Sequence, residues 1–173
     1  MANDANAPGW PDAIRADSGA AAPRAIGVAG AALVVLGFFL PWLHGTAEFA
    51  ARDFSGFDLA RLVRNFEIVA SSSSEEGQFG LIAVALYAMP ALAINGAVLA
   101  LVPAIQRRAA ATALGIAAVY ALVILTIFAA LSAISWTNLQ GVLGSPMNGF
   151  FVSATGGATL GVSAVLTFHR SRT

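Results

Sequence analysis

The sequence predicts an all-α integral membrane protein: four transmembrane helices in a bundle, plus a short amphipathic interfacial helix in the first outer loop. Three observations carry this. First, 58% of the 173 residues are apolar and only 10% are charged, whereas water-soluble domains carry about 25% charged residues. So little charge cannot cover a water-facing surface. Second, the apolar residues fall into four long runs. A helix needs about 20 residues to cross roughly 30 Å of hydrocarbon, and residues 25–43, 79–102, 112–134 and 149–168 each approach that length without a formal charge. Third, arginines alternate between the flanks of these runs as a four-span topology requires.

Arg15 and Arg24 precede the first span, Arg107 and Arg108 fill the second connection, and Arg170 and Arg172 follow the last span. Cytoplasmic flanks retain positive charge, so all six belong on one side and both termini are expected in the cytoplasm. The opposite side mixes Arg52, Arg61 and Arg64 with Glu48, Asp53, Asp58, Glu67, Glu75 and Glu76. Trp42, Phe79, Trp136, Phe150 and Phe151 fall at the expected outer boundary, where amphipathic rings prefer to lie. The expected location is a bacterial cytoplasmic (inner) membrane. The bacterial assignment rests on codon composition, since all nine basic residues are Arg and Ala is abundant.

Taken in order, residues 1–24 form a polar tail with Pro8, Gly9, Pro11, Gly19 and Pro23, expected to be flexible and cytoplasmic. Trp10 is its one large aromatic. Residues 25–173 make the transmembrane domain. The first span closes on Pro41, which lacks an N–H and restricts its predecessor, just as Trp42 reaches the interface. Gly45 and Ala47 would suit signal-peptide cleavage before Glu48, but the apolar run exceeds the usual 7–15 residues and lacks a strongly basic lead. A retained span is expected.

The outer loop, 44–78, contains a helix over about 56–68. Ser55 caps it and Asp58 completes a capping box; Leu59, Leu62, Val63 and Phe66 then recur at helical spacing. At about three turns such a helix is marginal alone, so it is expected on the bilayer interface or across the spans, with Phe57 on the same surface. Ser71 to Ser74 form a polar link, and Glu75 and Glu76 open the second span.

Within the spans, Ser153, Gly157 and Gly161 recur every four residues, as do Ala113, Ala117 and Ala121. Gly27, Gly30, Ala31 and Gly37 do so less regularly. Small residues let helices approach closely where no hydrophobic force separates helix from lipid. Pro90 should kink the second span and free the Leu86 carbonyl. Tyr87 and Asn95 flank it, and their polar groups need partners, with Tyr120 and Thr126 on the third span as candidates.

Chemistry is scarce. Net charge is zero, which leaves no basic face for nucleic acid. There is no Cys, and His44 and His169 fall on opposite sides of the membrane, so no catalytic or metal-ligating set is expected and no cofactor is required. The spans carry no Asp, Glu, Lys, Arg or His for a proton relay.

Leu40, Pro41 and Trp42, followed by Ser55, Gly56, Phe57, Asp58 and Leu59, resemble the Leu-Pro-Trp exit and Ser-Gly-Phe-Asp-Leu loop of small bacterial four-helix membrane proteins of the actinobacterial type. That resemblance covers about a tenth of the chain and implies topology, not activity. A looser likeness to claudin-type four-span proteins lies in the long first and short second outer loops, without their paired loop cysteines.

The expected function is therefore a non-catalytic structural or accessory subunit of a larger membrane complex, respiratory or photosynthetic for example, with the bilayer and other membrane subunits as partners. A lipid- or small-molecule-binding sensor using Phe57 and Arg61, and a small transporter using Asn95, are the alternatives.

Overall fold

The structure, a computed structural model, describes residues 10–45, 52–70, 78–102, 107–138 and 143–171. It is mostly helical: α1 (Trp10–Phe39), α2 (Gly56–Ala70), α3 (Gln78–Leu101), α4 (Arg107–Asn138) and α5 (Asn148–Arg170). Three short strands, β1 (Pro41–Gly45), β2 (Asp53–Ser55) and β3 (Leu143–Pro146), complete it. Four helices are long and apolar enough to cross a membrane, over Ala21–Phe39, Leu81–Leu101, Arg107–Ala130 and Asn148–Arg170.

These four helices close a ring in which α1 packs on α5, α5 on α4, α4 on α3, and α3 on α1. Their inward positions repeat at three- and four-residue steps, which keep side chains on one helical face. On α3 the line is Leu86, Met89, Ala93, Ala97 and Ala100, and on α4 it is Leu114, Ala117, Ala118, Ala121 and Leu125, all buried. Large apolar side chains also point outward on every span, with Leu81 72%, Val119 63% and Val165 68% exposed. Apolar surface of this kind marks contact with a membrane or with another protein.

Three expectations change. Helix α1 reaches back to Trp10, so much of the segment read as a loose tail is helical. The alanines around Gly19 favour helix, and Pro23 forfeits one backbone bond without stopping it. At its other end α1 finishes at Phe39, and Trp42 continues as strand. Finally, the fold is not purely α: β1 is the centre of an antiparallel sheet, order β2-β1-β3. Strands of three to five residues are too short for alternation to mark them in the sequence. Ser71 to Ser74, Glu75 and Glu76, and the side chains of Trp10, Phe66, Phe79 and Trp136, lie outside the described residues.

Candidate functional site

The sheet end is built from Pro41 and Trp42. In a continuing helix the N–H of residue 41 would bond the Gly37 carbonyl, but proline has none. The indole Nε1 of Trp42 donates to that carbonyl instead, at 2.7 Å, in a buried position. Pairing along β1 and β2 runs Pro41↔Ser55 and then Leu43↔Phe54, which leaves Trp42 as the extra residue of a bulge. Bulges re-aim side chains, and here Trp42 turns inward, 0% exposed. Its ring meets Phe38, Phe128 and Phe150 edge-on at 6.2, 5.3 and 6.1 Å between centroids. Its carbonyl accepts from the Met147 N–H at 2.9 Å, tying β1 to the start of α5. The expected interfacial anchor is thus a core residue. Phe150 is half-buried and Phe151 exposed.

The capping box forms. Asp58 N–H donates to Ser55 Oγ at 3.1 Å, while the Ser55 N–H and hydroxyl donate back to Asp58 Oδ2 at 3.1 and 2.7 Å. Those bonds, the hydroxyl's first, hold the Asp58 carboxyl below its ordinary range. Arg52 and Arg61 add to this, while partial burial opposes it. Beneath α2, Gly56 and Ala60 are buried, with Leu59 and Val63 half-buried. A Cβ on Gly56 would lie 2.8 Å from the Phe38 ring, so α2 sits directly on the aromatic cluster. Phe57 packs against Phe38, Phe39 and Tyr87. Leu62 departs from the expected apolar face. It turns outward and, with Arg52, Asp58, Arg61 and Asn65, lines an open surface cleft. On the neighbouring strands, His44 Nδ1 and Asp53 Oδ1 pair at 2.6 Å, both exposed.

Helix α3 runs unbroken through Pro90. Tyr120 donates from α4 to the Ala85 carbonyl at 3.0 Å, one residue before the carbonyl that Pro90 was expected to free. Thr126 bonds Leu122 in its own helix at 2.7 Å, and Tyr87 joins the aromatic cluster. Neither candidate partner reaches Asn95, which is exposed on the outward surface of α3 beside Ile94 and Val98. Its amide makes no hydrogen bond among the described residues. Exposed threonines on the spans behave otherwise: Thr112, Thr126, Thr155 and Thr159 each donate to the carbonyl four residues earlier.

The small-residue stripes also sort differently from their spacing. Steps of four residues drift about 40° around a helix each time, so Ser153 faces α1 while Gly157 and Gly161 face α4, against Ala121 and Ala118. Ala117 and Ala121 are buried, and Ala113 is half-buried near Gly96 of α3. The closest approach lies between α1 and α5. A Cβ on Gly37 would fall 2.5 Å from Ser153 N, and one on Gly156 would fall 2.6 Å from Val34 N. Residues 27, 30, 34 and 37 thus mesh with 149, 153, 156, 160 and 163. Alternating steps of three and four keep such a seam on one face.

Among the described residues no group of three or more His, Asp or Glu is placed to hold a metal ion. Comparison with known proteins finds no family model, no curated protein and no solved structure that matches the chain.

Proposed function

We propose that the chain is a non-catalytic structural or accessory subunit of a bacterial inner-membrane complex, multi-pass with its arginine end cytoplasmic, and that it docks a second membrane subunit on the outward face of α3. The observation that supports this is Asn95. It lies six residues from the end of the apolar window at Leu101, about 9 Å along the helix. An amide at that depth needs a partner, and a polar side chain on an apolar helix is a common interhelical glue, worth about 1–2 kcal/mol in peptides and less in folded proteins. Ala91, one turn away and also exposed, lets a partner helix come close. Outward placement speaks against a path through this chain past Asn95.

Mild-detergent extraction tests the proposal. A stoichiometric partner chain should accompany the wild type, be lost from Asn95→Leu, and be retained by Val165→Leu on the outward face of α5. A homogeneous free monomer from native membranes, or equal partner recovery with Asn95→Leu, overturns it.

A further inference from the structure

At the end of the bundle opposite the sheet, residues of all four long apolar helices border one shallow cleft that is open to the surface. Arg24 comes from α1, Arg107 from the first turn of α4, and Arg170 from the last turn of α5. Thr167 adds a hydroxyl, and Leu99 and Val102 supply part of an apolar wall. Among the described residues no Asp or Glu lines it. A preference for arginine on one side of a membrane explains why these residues share an end. It does not explain why three of them, from three helices, border a single cleft while Arg108, exposed and adjacent in sequence, does not.

We infer that this cleft is a binding site for the phosphate headgroup of an anionic phospholipid, with an acyl chain running along Leu99 and Val102 onto the outer surface of α3. The inference rests on the membrane placement proposed above. Guanidinium groups match phosphate oxygens in charge and geometry. The opening N–H groups of α4 lie beside Arg107 and add positive potential. The apolar wall selects for a phosphate that carries a hydrocarbon tail. Basic pockets between spanning helices are suited to such headgroups, and each arginine that borders the cleft contributes about a fivefold effect on affinity.

The test uses the full chain, purified in mild detergent, with lipid adducts read by native mass spectrometry and thermal stability followed alongside. Phosphatidylglycerol should be retained and raise the melting temperature, while phosphatidylcholine and inorganic phosphate should do neither. Arg24→Gln, Arg107→Gln and Arg170→Gln should each weaken phosphatidylglycerol retention about fivefold, and Arg108→Gln should leave it unchanged. Arg107→Lys, which keeps charge and fold, should retain part of the binding. Equal retention of the two lipids, or equal losses for Arg107→Gln and Arg108→Gln, overturns the inference. Stabilisation by inorganic phosphate to the same extent overturns the assignment to lipid. A chain that stays in aqueous supernatant without detergent defeats the membrane placement itself, whereas one that needs detergent yet shows no lipid preference defeats only this site.

Discussion

The indole nitrogen of Trp42 donates to the carbonyl of Gly37 at 2.7 Å, replacing the backbone donor that Pro41 removes. Two adjacent residues thereby end a helix and satisfy the carbonyl left by that ending. The same tryptophan holds β1 onto α5 through its own carbonyl and fills the space between Phe38, Phe128 and Phe150. The chain's change from helix to sheet and the closing of the bundle's end are one event.

Trp42→Phe should therefore separate ring packing from hydrogen bonding. It keeps an aromatic ring but strands the Gly37 carbonyl, at a cost of about 1–3 kcal/mol. Trp42→Ala also opens a cavity and should cost about 3–5 kcal/mol. Chemical unfolding in mixed micelles measures both. If phenylalanine is fully tolerated, the indole bond has no structural weight.

The α1–α5 seam makes the glycines unequal. On Gly37 or Gly156 an added methyl meets backbone of the opposing helix, so Gly37→Ala and Gly156→Ala should each lose about 1–3 kcal/mol. On Gly161 the methyl would sit 3.7 Å from the Ala118 Cβ, an ordinary contact. Gly161→Ala should therefore be neutral or stabilising by up to about 1 kcal/mol through helix propensity. Unfolding midpoints of the three variants in one detergent would reverse this order if the GxxxG of residues 157–161 were the tight contact.

That contrast shows how much the sequence discloses. The four long apolar helices are legible because uncharged apolar runs leave few alternatives, and α2 is legible from Ser55, Asp58 and its helical spacing. Four-residue stripes on α5 were visible but not assignable, since Ser153 and Gly157 differ in facing by only about 40° and the neighbour on each side is a tertiary fact. β1 and β3 stayed hidden for a related reason: Leu43 pairs with Pro146, so the contact that stabilises each strand comes from the far end of the chain. Trp42 looks like an interfacial anchor in one dimension. Only the missing N–H of Pro41, four residues after Gly37, hints that the indole has an inward task.

Two buried serines on the same face of α5 should respond in opposite directions. Ser163 Oγ donates to the Pro23 carbonyl at 2.7 Å, and Ser163→Ala should cost about 1 kcal/mol. Ser153 Oγ is buried against Gly37 without a hydrogen-bond partner. Burying such a hydroxyl costs about 1–3 kcal/mol by mutational measures, so Ser153→Ala should leave stability unchanged or raise it. Thermal midpoints in the same micelle compare them, and a loss at Ser153 as large as that at Ser163 contradicts the assignment.

The capping box should give the sheet end an acid-sensitive component. Because the Ser55 bonds lower the Asp58 pKa in the folded state, the unfolded chain takes up the proton first as pH falls. The stabilisation is then fully present above the unfolded carboxylate value of about 3.9, and it disappears as pH drops through the lower folded value. At neutral pH, Asp58→Ala and Ser55→Ala should each cost about 1 kcal/mol, the usual worth of a helix cap. Their double variant should cost less than the sum, since both remove one shared interaction. A pH series of unfolding midpoints should show wild type and Asp58→Ala converging under acid. A gap that persists well below the folded value would mean that Asp58 acts by packing and not through its charge.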